Sequence, residues 1–159
     1  MTYVKIGGID RFLLICYTKN VINLYKIIMK KGYKGNIEEL TNSNEKFRKV
    51  LYTGAHCQLV LMNLLPNEEI GMEVHEENDQ FFRFEAGNGK VIINETEYEV
   101  KDGDAVIIPS GSNHNVIAGE NGLKMYTIYS PAHHKDGIVR ATKKEAEENE
   151  EDFDGVITE

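Results

Sequence analysis

The sequence contains little cysteine, no long apolar run and no concentration of positive charge. Its 159 residues include two cysteines, Cys16 and Cys57, which are too few for a disulfide framework or a cysteine-rich zinc site. Apolar runs such as 12–17 and 59–62 fall far short of the roughly 18 residues of a membrane-spanning helix. Lysine and arginine form no stripe that could follow a phosphate backbone. We therefore expect no membrane span, no nucleic-acid partner and free thiols in a reducing cytoplasm.

Negative charge is concentrated at the C-terminal end. The chain has 26 acidic and 18 basic residues, a net charge of −8. Between Ala141 and Glu159 eight acidic residues stand against two lysines, so this segment carries −6 and residues 1–140 carry −2. With 41% apolar and 28% charged residues, the composition is that of a globular domain able to bury one core. We expect a nearly neutral domain with residues 141–159 as an acidic, solvated tail.

Residues 1–28 are predicted to be an extension outside the main domain. Their apolar stretch is six residues long, whereas a secretory signal needs about 7–15. Val21, Leu24, Tyr25 and Ile28 follow helical spacing, which favours a short amphipathic helix. The alternative interpretation is that the chain starts at Met29.

The rest of the chain has the pattern of short strands separated by glycine turns. The predicted strands are 47–53, 56–64, 71–75, 79–85, 90–94, 97–100, 105–109, 114–117 and 123–130, with turns at 54–55, 87–89 and 101–104. Helical patterns occur only towards the ends, in the first 30 residues and at 37–39 and 142–149. This arrangement indicates an all-β sandwich or barrel with short helical extensions at the N- and C-termini.

Strand alternation places several polar side chains inside the predicted barrel. Successive strand residues face opposite ways, so Gln80 lies on one face with Phe82 and Phe84, and Arg83 lies on the other. By the same rule Glu73 and His75 point together. Polar side chains that face a barrel interior need a partner, and a bound metal ion would provide one.

The spacing of residues 103–114 is the most specific signal in the sequence. Gly103, Pro109, Gly111 and His114 follow the order Gly, five residues, Pro, one residue, Gly, two residues, His. In this the sequence resembles the second motif of the cupin superfamily, whose members are small double-stranded β-helix (jelly-roll) barrels. The resemblance implies a cupin β-barrel over residues 29–140 and, since cupins commonly pair through edge strands, a homodimer.

The first cupin motif is altered in this chain. The family has two histidines separated by one residue, then a glutamate and a glycine. Aligned with it, Glu73 occupies the first histidine position, His75 the second and Gln80 the glutamate position. The exchanges leave one carboxylate in the set. The resemblance therefore implies a divalent ion (Mn, Fe, Ni or Zn) held by Glu73, His75, Gln80 and His114.

Two assignments in this region have alternatives. Gln80 could orient His75 without contacting the metal itself. Glu77 is the rival ligand, because it shares the face of Glu73 and His75 if the strand continues that far. His133 and His134 follow the last predicted strand, and we expect them to be surface or turn groups.

The region from about Gly32 onwards resembles small single-domain cupins described as mannose-6-phosphate-isomerase-like. This resemblance implies a metal-dependent enzyme for a small oxygenated substrate such as a sugar or sugar phosphate, with Glu77 as the candidate catalytic base. Arg48, Arg83 and Lys124 are the cations available for a phosphate. Two alternatives stay open: a non-haem iron dioxygenase, which also uses two histidines and one carboxylate, and a non-catalytic module that binds a metal or small ligand.

Overall fold

The computed structural model describes residues 5–6, 9–10 and 31–159. Near the N-terminus, β1 (Lys5–Ile6) pairs antiparallel with β2 (Ile9–Asp10). The helix predicted from the spacing at 21–28 lies outside the described residues. Residues Tyr33–Thr158 form a compact unit of their own. Its elements are α1 (Ile37–Ser43), β3 (Arg48–Thr53), β4 (Gln58–Leu64), β5 (Asp79–Ile93), β6 (Thr96–Lys101), β7 (Ala105–Ile108), β8 (His114–Ser130), β9 (Val139–Arg140) and α2 (Lys143–Glu148).

Seven strands of this unit form an antiparallel sheet in the order β6-β5-β8-β4-β3-β9, with β7 paired to β5. The long strands β5 and β8 run side by side, from Asp79 opposite Ser130 to Ile93 opposite His114. On its other edge β5 pairs with β7 along its first half and with β6 along its second half. This mostly-β arrangement fits a jelly roll.

The prediction of a turn at 87–89 is wrong, because β5 and β8 are continuous where the sequence predicted two strands each. The glycines there permit a close approach of two backbones. A Cβ atom at Gly87 would lie 2.1 Å from the carbonyl oxygen of Gly122, and one at Gly89 would lie 2.2 Å from that of Ile117. Strand β5 shifts its register next to Gly87 and Gly89, so it bends by a bulge at this point and does not reverse.

The register of β4, β8 and β5 arranges the interior in rows. The first row is polar, and the next two are largely apolar: Gln58–Tyr129–Gln80, then Val60–Thr127–Phe82, then Met62–Met125–Phe84. All nine side chains are buried. The prediction that Gln80, Phe82 and Phe84 share the inner face is confirmed, and Arg83 between them is partly exposed. One end of the barrel interior is therefore polar, and a packed apolar core lies behind it.

Both helices of this unit begin at a capping side chain. The Asn36 side chain accepts a hydrogen bond from the backbone N–H of Glu39 at the start of α1, and Thr142 accepts one from Glu145 at the start of α2. Among the residues that the structure describes, no helix is long and apolar enough to span a bilayer.

The acidic C-terminal segment follows the barrel. Asp152 forms a β-bridge with His134, and the hydroxyl of Thr158 accepts a hydrogen bond of 2.8 Å from the backbone N–H of Thr53. These contacts connect the end of the chain to the polar end of the barrel.

Candidate metal centre

Three of the predicted metal ligands meet in one cluster. Oε1 of Glu73 lies 3.1 Å from Nε2 of His75 and 3.3 Å from Nε2 of His114. Each residue offers one ligand atom, and these atoms all lie within 4.8 Å of one another. The two histidines are buried and Glu73 is partly exposed. Two imidazoles and one carboxylate in this arrangement can hold a divalent metal ion.

Backbone pairing between the two motif segments positions the cluster. Residues 71–75 do not form the regular strand that we predicted; Glu73 instead makes an isolated antiparallel bridge with His114. The N–H of each donates to the carbonyl of the other at 2.9 Å, and the N–H of Gly111 donates to the carbonyl of His75, also at 2.9 Å. These bonds join the first motif directly to the second.

A side-chain hydrogen bond of His114 determines which of its ring nitrogens carries the proton. Its Nδ1 lies 3.0 Å from the carbonyl oxygen of Ser112. Because a carbonyl only accepts, we assign the proton to Nδ1, which leaves the Nε2 lone pair directed at the cluster. Nε2 is buried and has no hydrogen-bond partner, although Oε1 of Glu73 is 3.3 Å away. A lone pair facing a carboxylate is unfavourable unless a proton or a metal ion lies between the two atoms, so the donor set fits a metal ion.

The Glu73 carboxyl group is held in its charged form. Burial alone would raise its pKa, but polar contacts with His114 and His75 outweigh burial and keep the pKa well below its usual range. A metal ion binds the deprotonated carboxylate. Glu73 is therefore in the form that a ligand requires at neutral pH.

Gln80 lies in the polar row beside this cluster. Its side chain is 1% exposed. Its amide interacts with the Tyr129 hydroxyl and opposes the rise in the pKa of that group, but neither amide atom has a partner with the geometry of a normal hydrogen bond. It neighbours Tyr129 in register, and the ring of Tyr129 is 5.5 Å from that of His75. Burying a polar group without a partner costs about 1–3 kcal/mol, so we expect this amide to bond to a group from outside the chain. Its assignment as a fourth ligand stays a prediction.

Glu77 has no place in the cluster. The chain bends between His75 and Asp79 and does not continue as a strand, so the alternation that would bring Glu77 to the face of Glu73 is absent. Its side chain is exposed. The predicted roles of Glu77 as rival ligand and catalytic base have no geometric support.

A loop that the sequence did not indicate forms part of the site. The ring centroid of His133 lies 4.1 Å from that of His75 and 5.3 Å from that of Tyr129. Nε2 of His134 is 3.3 Å from the hydroxyl of Tyr129. The expectation of a surface position is wrong for His134, which is 4% exposed, whereas His133 is only partly buried. Both lie in a loop, and neither belongs to the cluster of three possible ligands. The only feature of the sequence that could have indicated this loop is the adjacent pair of histidines.

Gln58 ties this loop, residues 131–134, to the barrel. Its Oε1 accepts hydrogen bonds from the backbone N–H groups of His133 at 3.3 Å and His134 at 2.9 Å. Its Nε2 donates to the carbonyl of His134 at 2.6 Å and to the hydroxyl of Thr53 at 2.9 Å. The side-chain amide of Asn78 donates to the carbonyl of Pro131 at 2.6 Å. The loop is thus held by a hydrogen-bonded network that the chain completes by itself.

The histidines of this loop and the neighbouring Tyr129 hydroxyl are uncharged at neutral pH. Burial, with the charge of His75 adding to it, lowers the pKa of His133 to about 4. Burial also lowers the pKa of His134 and raises that of the Tyr129 hydroxyl. The wall beside His75 therefore consists of neutral rings.

Comparison with known proteins identifies the family. Residues 60–129 match the family described as Cupin domain. The YrkC protein of Bacillus subtilis (strain 168) is 41% identical over 123 residues, which cover 73% of this chain and 66% of that protein. The L612 protein of Acanthamoeba polyphaga mimivirus is 40% identical over 112 residues, which cover 67% of this chain and 70% of that protein.

A solved structure is also similar to this chain in both sequence and fold. The crystal structure of BH2720 from Bacillus halodurans has 40% sequence identity and a TM-score of 0.73, and the match covers 75% of this chain and 96% of that chain. This chain belongs to the cupin family. The resemblance inferred from residues 103–114 is confirmed at this level, and about a third of YrkC lies outside its match.

Proposed function

We propose that this cupin is a metal-dependent enzyme that acts on a small oxygenated substrate, such as a sugar or sugar phosphate, in an isomerase-like reaction. The observation that supports it is the Glu73 carboxylate flanked by two imidazole Nε2 atoms at 3.1 and 3.3 Å. A divalent ion of Mn, Fe, Ni or Zn held there would supply a Lewis acid for carbonyl and hydroxyl oxygens.

The chain's own residues prepare the site. The carbonyl of Ser112 holds the Nδ1 proton of His114, which keeps Nε2 available as a ligand. The ring of His133 packs against that of His75 and restricts its rotation. Gln80 would be a fourth, neutral ligand, and an ion held by these four residues would still have room to bind substrate oxygens.

A second candidate is a non-haem iron dioxygenase. It is favoured by the composition of the cluster, which has two imidazoles and one carboxylate. Substrate-dependent oxygen uptake by the iron-loaded protein would favour this activity over isomerisation. A protein that retains metal and ligand but converts nothing would be the non-catalytic module instead.

The metal site is tested by removing one imidazole at a time. In His75→Ala and His114→Ala, the metal content of the purified protein should fall at least about tenfold, because each variant lacks a ligand and not merely an orienting group. Elemental analysis gives the stoichiometry. Added metal should stabilise the wild type by about 2.7 kcal/mol at a hundred times its Kd and should leave both variants unchanged.

His56→Ala is the matched control, because His56 is exposed in the turn between β3 and β4. It should retain metal like the wild type, and circular dichroism should show the same β content in all the proteins. Unchanged metal stoichiometry in both cluster variants would mean that these residues are not the ligands.

A further inference from the structure

Arg48 lies on the inner face of β3. It pairs in register with Met62, and Val50 two residues along the strand pairs with Val60. Val50, Val60 and Met62 all belong to the buried core. Because alternate residues of a strand share a face, the Arg48 side chain points into the barrel with them.

Arg48 is partly exposed, its guanidinium carbon lies 5.8 Å from the ring centroid of Phe47, and it forms no ion pair within the part of the chain that the structure describes. Arginine ion pairs there join Arg83 to Glu85 and Arg140 to Glu151. Nε of Arg48 is buried and has no hydrogen-bond partner. A partly buried charge without an ion pair is less favourable than a paired one, so an anion from outside the chain would stabilise this arrangement.

Arg48 and the loop beside the metal centre are connected through β3. The segment that follows the loop 131–134 pairs with β3 as strand β9. In addition to the dominant effect of burial, the charge of Arg48 lowers the pKa of Tyr129, His133 and His134. Tyr129 and His133 are the rings that pack against His75.

Two other inward side chains lack partners. Gln80 and Thr127 are 1% and 0% exposed, and neither the Gln80 amide nor the Thr127 hydroxyl makes a hydrogen bond. Thr127 lies between Val60 and Phe82, one row from Gln80. Arg48, Thr127 and Gln80 thus direct polar groups into the interior from three strands. A ligand that satisfies them must itself be polar and rich in oxygen acceptors.

Of the three cations predicted to serve a phosphate, Arg48 is the one that faces this interior. Lys124 donates to the backbone carbonyls of Asn42 and Asn44 at 2.6 and 3.0 Å, so it fastens the end of α1. Arg83 lies on the outer face of β5 and binds the carbonyl of Gly103.

Arg140 lies opposite Arg48 but is paired with Glu151, so Arg48 is the guanidinium on the inner face of the sheet without an ion pair among the described residues. It can bind a carboxylate or a phosphate through two parallel hydrogen bonds. Its single charge is matched by the single charge of a carboxylate.

We propose that the barrel interior binds a small hydroxy or oxo acid whose carboxylate pairs with Arg48, with its other oxygens directed to Thr127 and to the metal centre. This inference rests on the proposed function and narrows its substrate from sugars and sugar phosphates to acids. A bound acid would also bring the net charge of the metal-loaded interior closer to zero. Glu73 offsets only part of the charge of a divalent ion, so with Arg48 the loaded interior is positive, and a carboxylate reduces the excess.

The experiment compares the binding of small molecules to four metal-loaded proteins by calorimetry: the wild type, Arg48→Gln, Arg48→Lys and Arg83→Gln. The probes are glycolate, malate and gluconate, with inorganic phosphate and neutral glycerol for comparison. At least one acid should bind the wild type more tightly than phosphate or glycerol. Arg48→Gln should weaken that binding at least about tenfold, because a charge-assisted pair is lost.

Arg83→Gln is the matched control, because it removes an equal charge from the outside of the barrel, and it should bind the acid as the wild type does. Arg48→Lys keeps the charge but cannot form the two parallel hydrogen bonds, so its affinity for the acid should lie between those of the wild type and Arg48→Gln. If Arg48→Gln does not fold, the ratio of the acid affinities of the wild type and Arg48→Lys tests the inference instead. Metal content should be the same in all variants, since Arg48 is not a ligand.

Equal acid affinity in the wild type and Arg48→Gln, a preference for phosphate, or no acid binding would each overturn the inference. Metal retention without acid binding would leave the proposed function intact. Acid binding that depends on Arg48 in a protein that retains no metal would instead refute the proposed function and support the acid site.

Discussion

Two polar regions at the same end of the barrel are built in opposite ways. In the loop 131–134, both polar atoms of Gln58 are bonded, and the chain supplies every partner. In the metal centre, Nε2 of His114 and both amide atoms of Gln80 are buried without partners. Buried polar groups in folded proteins are nearly always satisfied. The first region is therefore complete as a structure, whereas the second is complete only with something bound.

The largest change in the free energy of unfolding that we predict from this comparison distinguishes Gln58 from Gln80, the two glutamines of the first interior row. Gln58→Leu should lower the free energy of unfolding by about 3–4 kcal/mol, because it leaves backbone groups of the loop and the hydroxyl of Thr53 without partners. Urea denaturation of the metal-free protein measures this.

Gln80→Leu is the matched variant, because the same substitution on the same row removes no hydrogen bond within the chain. Its unfolding free energy should stay within about 1 kcal/mol of the wild type or rise, since a desolvated amide is replaced by an apolar group. If the two leucine variants lose stability equally, the two regions do not differ in the way the contacts indicate.

A smaller loss of folding stability is expected when the pH of the metal-free protein is lowered. The pKa of His133 is lowered from 6.5 to about 4 in the fold, so between these values the unfolded chain binds the proton and the folded chain does not. Stability must then fall as the pH drops from about 6.5 towards 4. Because the ring is partly exposed, we expect its contribution between pH 7 and pH 5 to be only about 1 kcal/mol.

His133→Phe keeps an aromatic ring against His75 but cannot take up a proton. The difference in urea midpoint between pH 7 and pH 5 should therefore be smaller in this variant than in the wild type. His56→Phe, at the exposed turn, is the control and should keep the wild-type difference. An unaltered pH response in His133→Phe would place the proton-sensitive group elsewhere.

Local patterns predicted most of the fold and part of the site. The fixed spacing from Gly103 to His114 identified the family, and alternation along 79–85 correctly put Gln80 inside. Alternation put Glu73 and His75 on one face, and the resemblance to the cupin motifs implied the ligand set, so three residues that lie together in the structure could be named from the sequence.

The errors have a common physical origin in contacts between distant parts of the chain. Gly87 and Gly89 were interpreted as a turn, but their role depends on backbone atoms of β8, which no local pattern reveals. His133 packs on His75 across 58 positions of sequence. Arg48 is a different case, because alternation with the buried Val50 is a local pattern and predicts that Arg48 points inward.

The smallest effect is the most direct test, because it concerns two buried threonines that differ in one hydrogen bond. Thr53 and Thr127 are both 0% exposed; the hydroxyl of Thr53 accepts a bond of 2.9 Å from Gln58, and that of Thr127 has no partner. Replacing each by valine changes little volume, so hydrogen bonding dominates the difference. Thr53→Val should cost about 1 kcal/mol, and Thr127→Val should be neutral or stabilise the metal-free protein by up to about 1 kcal/mol. Chemical denaturation of both variants under one set of conditions resolves their signs. A loss of stability in Thr127→Val equal to that in Thr53→Val would mean that its hydroxyl is already satisfied within the fold, and the interior would then have one fewer group to offer a ligand.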